Sequence, residues 1–323
     1  MGKIETVTGC AEQALLPYES CNLGSINLAR MLKNGDDKTE VDYTKLAKTV
    51  KTAVNFLDNV IDVNKYPLPQ IEEMTRKTRK IGLGVIGYAD MLFRLGIPYD
   101  SEEALKVAAD VMGFINDEAH KASELLAAKR GVFPAFQGSK YDTPGGPRLR
   151  NASCTTIAPT GTISLIAGSC NGIEPYFAMV FVRNILDGEQ LLEVNPIFEE
   201  VARKEGFYSA ELLRQLVSCH QLDEIEGIPE RIKRVFVTTN QIKPEWHVRT
   251  QAVFQKYTDG AVSKMVNLPS KATRQDIADT FMLAYKEGLK GVTNYRDSSR
   301  ELQSLCTDKV ALELVNKYIS GSC

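Results

Sequence analysis

Cysteine is scarce in this chain, and none of its seven cysteines stands in a CxxC pair. That excludes a disulfide framework of the secreted kind, a zinc ribbon and a thioredoxin-like dithiol. Histidine is scarcer still: His120, His220 and His247 are too far apart in the chain to share metal-ligand spacing, so no metal is expected. No apolar run approaches the ~20 residues that cross a bilayer, and no leader-like apolar segment follows Met1. The expected location is therefore cytoplasmic, with no membrane partner. Charge of one sign is lacking too, since 39 Lys and Arg face 41 Asp and Glu for a net −2. That balance argues against a general nucleic-acid binder. Repeats and low-complexity tracts are absent.

What the 323 residues do contain is an ordinary globular composition, 25% charged and 43% apolar, sufficient for a sizeable core. The odd cysteine count fits free thiols in a reducing compartment. Cys154, Cys170 and Cys219 read as small buried hydrophobes.

Hydrophobic spacing predicts a helix over residues 42–62, with Asp42 as N-cap and breaks at Pro67 and Pro69. A second long helix is expected to start at Ser101, run to Lys129 and stop at Gly131, followed by a Pro- and Gly-rich loop over 133–150. Residues 154–158 read as a short buried strand. Further helices are expected near 194–205, 209–217, 245–257 and 273–288, with strand candidates at 261–266 and 291–295. Strands alternating with helices predict a parallel α/β architecture. The chain reads as a single domain over 1–323, with 1–9 as a junction segment and 306–323 as a tail.

Three stretches carry chemistry. In Thr8-Gly9-Cys10-Ala11-Glu12, a thiol and a carboxylate two residues apart share a face if the segment is extended, and Cys21 follows eleven positions later. In Ala158-Pro159-Thr160-Gly161-Thr162-Ile163-Ser164, a strand end, a glycine and several hydroxyls offer donors to an anion if a helix begins there. Read alone, such a run is commonly a plain strand-to-helix turn. Gly82-Leu83-Gly84-Val85-Ile86-Gly87 matches GxGxxG. The polar, basic run Thr75–Lys80 stands where a dinucleotide fingerprint needs an apolar strand, so these glycines read as sites of close backbone packing.

The run Glu19-Ser20-Cys21-Asn22-Leu23-Gly24-Ser25-Ile26-Asn27-Leu28, together with the segment around Cys10, resembles the finger loop and following strand of the ribonucleotide reductase catalytic subunit. Residues 158–164, followed by Ser169 and Asn171-Gly172-Ile173-Glu174-Pro175, resemble that family's phosphate loop. Trp246–Tyr257, Ala261–Lys264, Asn267-Leu268-Pro269 and Lys290–Asp297 resemble its adenosylcobalamin-dependent class II branch. Thr293-Asn294 occupy the positions aligned with the radical-relaying tyrosine pair of class I, with a lone Tyr295 beyond. The resemblance runs from residue 10 to about 305 and covers the C-terminal part of a full-length subunit.

The resemblance implies the second half of a ten-stranded α/β barrel, with the finger loop through its centre. It implies ribonucleotide reduction with adenosylcobalamin as cofactor. Cys10 would become a thiyl that abstracts the ribose 3′-hydrogen, Glu12 would take the 3′-hydroxyl proton, and Cys21 would supply reducing equivalents. Ala158, Pro159, Thr160, Gly161, Thr162, Ile163 and Ser164 would bind the phosphates of a ribonucleoside di- or triphosphate. Implied partners are the N-terminal half of the barrel, bearing the second reducing cysteine, a thioredoxin or glutaredoxin reductant, and further copies in an oligomer. On this reading the chain is a split subunit, the downstream piece of an interrupted gene, or an incomplete sequence. Thr8 stands where the family has a substrate-binding asparagine, Gly9 where proline is common and Ala11 where glycine is. Cys323 lacks the paired cysteines often used as a thiol shuttle. A non-catalytic assembly piece of the same family and a nicotinamide-dependent dehydrogenase are the alternative classes.

Overall fold

The computed structural model describes residues 2–35, 39–184, 190–218, 222–299, 305–306 and 309–320. Its centre is a parallel ladder. Strand β3 (Asn22–Asn27) pairs in parallel with β6 (Ile81–Ile86), from Asn22 opposite Ile81 to Asn27 opposite Ile86. Parallel bridges join Leu83 to Thr155 and Ile157 to Val262. The chain of residue 262 continues into β9 (Met265–Leu268), which pairs in parallel with β10 (Thr293–Arg296). Five consecutive passes of the chain thus lie side by side in sequence order, as expected for half of a ten-stranded barrel.

The crossovers are helices, as parallel strands require. Helix α1 (Tyr43–Val63) is capped by the Asp42 side chain, which accepts from Lys45 N at 2.9 Å. Helix α2 (Pro69–Thr78) begins on Pro69, which therefore opens a helix as well as ending the preceding segment. Short α3 (Tyr88–Leu95) is followed by α4 (Glu102–Arg130), which Ser101 caps and Gly131 ends in a positive-φ conformation. Helix α5 (Gly161–Ala167) follows the 153–157 pass. Helices α6 (Pro196–Glu205), α7 (Ala210–Ser218) and α8 (Glu230–Val235) come before α9 (Pro244–Lys256), and α10 (Arg274–Lys286) joins β9 to β10. Among the described residues no helix is long and apolar enough to cross a membrane.

One cluster of buried residues joins α1, α4, β6 and α9, with Leu46, Val54, Ile81, Val85, Ile115 and Phe254 at its centre. A second gathers under hairpin β7 (Val180–Asn184) and β8 (Gln190–Val194) with α6 and α7. The segment read as a tail joins this second cluster. Strand β11 (Leu305–Cys306) pairs antiparallel with β7, and Val315 of α11 (Lys309–Ser320) is fully buried. The 133–150 loop is held by its own small core of Phe133, Phe136, Tyr141 and Leu149. Hairpin β4 (Leu32–Asn34) and β5 (Thr39–Val41) leads into α1.

Several expectations need correction. Gly82 and Gly84 lie inside β6, a wholly buried strand that the glycines hid from the sequence reading. A Cβ on Gly84 would stand 2.2 Å from Thr156 O, and one on Gly82 would stand 2.5 Å from the Leu23 and Thr156 side chains. The glycines permit close strand packing and leave the dehydrogenase reading without its phosphate turn. The strand expected at 261–266 is displaced to Met265–Leu268, because residues 261–263 join the ladder only through the Ile157–Val262 bridge. That expected at 291–295 begins two residues later, at Thr293. Cys219, His220 and Cys323 lie outside the described residues.

Candidate active site

Asn22 and Gly24 of β3 face α1: Asn22 Nδ2 donates to Leu57 O at 2.9 Å, and a Cβ on Gly24 would touch Leu57 at 3.5 Å. Strand alternation therefore turns Cys21, Leu23 and Ser25 to the opposite face, together with Gly82 and Gly84 of β6. A hairpin lies against that face. Its strands β1 (Thr6–Val7) and β2 (Ala14–Leu15) pair Thr6 with Leu15 and Val7 with Ala14, leaving residues 8–13 as the tip.

The tip is anchored through its main chain. Glu12 O accepts from Ala261 N at 2.8 Å and from Thr156 Oγ1 at 2.5 Å. The tip closes on itself, with Thr8 N donating to Gln13 O at 3.0 Å and Ala11 N to Thr8 O at 2.8 Å. Thr8 Oγ1 accepts from Gln13 N at 3.0 Å, which ties the side chain to the turn through one of its lone pairs. Ala11 sits in the left-handed region at φ 60°. Cys10 is exposed, while Glu12 is buried with Oε2 accepting from Cys10 N at 3.2 Å. The segment expected to be extended is thus a tight turn, and it brings the Glu12 carboxylate to the Cys10 main-chain N–H.

Cys21 lies partly buried at the start of β3, its thiol donating weakly to Asn22 O at 3.6 Å. Burial pushes this thiol up to about 12; the Lys80 ammonium opposes the shift, and the Glu19 and Glu12 carboxylates add to it. The Glu12 carboxylate of the tip is thus near enough to Cys21 to act on its charge. Lys80 and Glu19 were not singled out in the sequence. Their signal was register: Lys80 immediately precedes β6 as Cys21 immediately precedes β3.

The second expected site forms a separate strand-to-helix corner. Ala158 is buried, and Pro159, Gly161, Thr162 and Ile163 are exposed at the start of α5. Thr160 holds φ 58° and makes no side-chain cap, so the first-turn N–H groups of α5 face outward without an intrahelical acceptor. Thr160 Oγ1 accepts from Gly172 N at 2.8 Å, and Ser164 Oγ bonds to Asn171 Oδ1, so these two hydroxyls brace the corner against residues 171–172.

That brace continues into a buried cluster. Glu174 Oε1 accepts from Met265 N at 2.7 Å and Oε2 from Lys264 Nζ at 2.6 Å. The fully buried Lys264 ammonium is pulled below its ordinary pKa by burial, against the carboxylate's opposing effect. Lys264 also donates to His247 Nδ1 at 3.0 Å, which leaves the His247 proton on Nε2, facing Thr239 O at 3.4 Å. Burial and the neighbouring ammonium hold His247 well below the usual imidazole range. His247 is therefore a buried packing residue.

His120, which has no partner in sequence, has one in space. Its Nε2 lies 3.0 and 2.9 Å from the two Asp259 oxygens, and Asp259 Oδ2 also accepts from Cys154 N at 2.8 Å. The ligand atoms of His120, Cys154 and Asp259 lie within 4.8 Å of one another. With His120 Nε2 committed to Asp259, the cluster is a tie between α4, the 153–157 pass and the entry to β9.

Comparison with known proteins follows the same outline. A family model described as ribonucleotide reductase, barrel domain, matches residues 1–145 and 148–295. A vitamin B12-dependent ribonucleoside-diphosphate reductase of Thermoplasma acidophilum is 52% identical over 98% of this chain and 42% of its own length. One of Mycobacterium tuberculosis is 49% identical over 100% of this chain and 45% of its own length. The chain thus spans less than half the length of these relatives. Among solved structures, the Actinobacillus ureae class Id ribonucleotide reductase alpha subunit superposes with a TM-score of 0.74, at 23% identity, over 90% of this chain and 52% of its own. That likeness bears on the fold alone. The matched family model and the relatives agree with the five-pass ladder and the hairpin laid against it: this chain belongs to the ribonucleotide reductase barrel-domain family.

Proposed function

We propose that this chain carries the thiol chemistry of an adenosylcobalamin-dependent ribonucleotide reductase, acting with an N-terminal half that completes the barrel. The observation that carries the reading is the hairpin tip, where the Glu12 carboxylate accepts from the Cys10 N–H and stands close enough to Cys21 to act on its charge. The relatives' dependence on vitamin B12 supports the cofactor.

The residues present fit such a group at the tip. The Cys10 thiol is exposed, and a Cβ built on Gly9 meets nothing within 4 Å, so the tip opens onto free space on that side. Gly9 and Cys10 would form its rim of contact. When bound, adenosylcobalamin supplies a carbon-centred radical by homolysis of its cobalt–carbon bond.

The chain's own residues then divide the work. Cys10, as a thiyl, abstracts the ribose 3′-hydrogen and later returns it. Glu12 accepts the 3′-hydroxyl proton through its carboxylate, which the Cys10 N–H already orients. The 2′-hydroxyl leaves as water. Cys21 and a second thiol from the partner half give up two electrons and two hydrogens and close to a disulfide, which a thioredoxin or glutaredoxin reopens. The α5 corner receives the phosphates of a ribonucleoside di- or triphosphate on the outward N–H groups of Gly161, Thr162 and Ile163.

Glu12→Gln tests the reading, because it keeps the volume and removes the base. Turnover with the reconstituted N-terminal half should fall by about two orders of magnitude or more while nucleotide affinity stays within about twofold. Turnover within a factor of about two of the parent would remove Glu12 from the mechanism.

A further inference from the structure

The parallel register of β3 and β6 places Asn22 opposite Ile81 and Leu23 opposite Gly82. One step earlier it sets Cys21 opposite Lys80, on the face that carries Leu23 and Gly82. Lys80 Nζ donates to Glu19 Oε2 at 2.8 Å and to Ala14 O at 3.1 Å, two of the three bonds an ammonium makes. The Glu19 side chain is fully buried; Oε2 also accepts from Leu16 N at 2.9 Å, and Oε1 is buried without a partner. A half-buried ammonium paired to a fully buried carboxylate, with Glu19 Oε1 left without a partner, therefore stands beside a thiol.

We propose that Lys80 and Glu19 set the charge of Cys21, Lys80 as the positioning residue that lets the sulfur carry negative charge and Glu19 as the counterweight that limits it. The proposal deepens the reading of Cys21 as a reducing thiol and rests on it for its purpose. In re-reduction by a dithiol, a reductant thiolate attacks one sulfur of the protein disulfide. The protein S–S bond breaks, a mixed disulfide forms, and the released protein sulfur departs as a thiolate that takes up a proton. The second reductant thiol, losing its proton, closes the reductant's own disulfide and frees the other protein sulfur, which is protonated in turn. Whenever Cys21 is the sulfur released, its charge must be borne in this pocket. The carboxylates of Glu12 and Glu19 oppose that charge, and Lys80 is the cation that favours it.

The test reads thiol chemistry in the full chain and needs no turnover. Alkylation of Cys21 by iodoacetamide at about pH 8, where the rate tracks the thiolate fraction, is measured by mass spectrometry as a ratio to the exposed Cys10 in the same sample. Lys80→Met should lower the ratio about tenfold, the effect of about one pKa unit. Lys80→Arg should hold it within about threefold, and Glu19→Gln, which keeps an acceptor for Leu16 N, should raise it by about threefold or more. A ratio unmoved by Lys80→Met, lowered as far by Lys80→Arg, or not raised by Glu19→Gln overturns the proposal. A Cys21→Ser variant that still turns over repeatedly with the reductant would sink Cys21's reductive role and leave the ion-pair result standing.

Discussion

At the scale of single residues, Thr8 Oγ1 accepts from Gln13 N to close the turn and keeps its own O–H as a donor, so a substrate oxygen can be met there without breaking that bond. His120 and Asp259 give a pH-dependent counterpart. Burial works to lower the His120 pKa, but the bond and charge of Asp259 raise it overall; burial works to raise Asp259, but His120 holds it low. The stability this tie confers is present between the two shifted values. It is lost as pH rises through the raised His120 pKa, and lost again as pH falls through the lowered Asp259 pKa. Denaturant titrations of the parent and His120→Gln should therefore differ more at about pH 6 than at about pH 9. Equal differences at both values would show that the contact is not ionic.

At the scale of elements, legibility followed capping. Helices α1 and α4 could be read because Asp42, Ser101 and Gly131 announce their ends. Strand β6 could not, because Gly82 and Gly84 carry no strand propensity and show their purpose only against Thr156 and Leu23 of neighbouring passes. Helix α2 was hidden because Pro69 reads equally as a breaker and as a first helical residue. In the site, Cys10, Glu12 and Cys21 stood out in the sequence by their spacing, and the structure joins Glu12 to the Cys10 N–H. Lys80, Glu19, Glu174 and Lys264 did not, since their partners come from distant passes of the chain. The α5 corner offers a test at this scale. Gly161 has open space around it, nothing lying within 4 Å of an added Cβ, so Gly161→Val should fold. If phosphates approach the corner closely, the variant should lose nucleotide affinity by about tenfold, or about 1.4 kcal/mol, in equilibrium titration. Unchanged affinity would leave the corner as a turn.

At the scale of the whole molecule, the ladder ends in two strands with free flanks: among the described residues β3 pairs only with β6, and β10 only with β9. Parallel sheets are stable when covered, and unpaired edges seek strands. The isolated chain should therefore sediment heavier than a 35.8 kDa monomer and show no nucleotide reduction with adenosylcobalamin and dithiol. A monodisperse monomer that reduces ribonucleotides unaided would refute the half-barrel reading. The hairpin has a different consequence. Its tip hangs from Ala261 N and Thr156 Oγ1 by a carbonyl oxygen, an atom every amino acid possesses. Substitution at Thr8, Gly9 or Ala11 therefore removes none of the atoms from which the tip hangs.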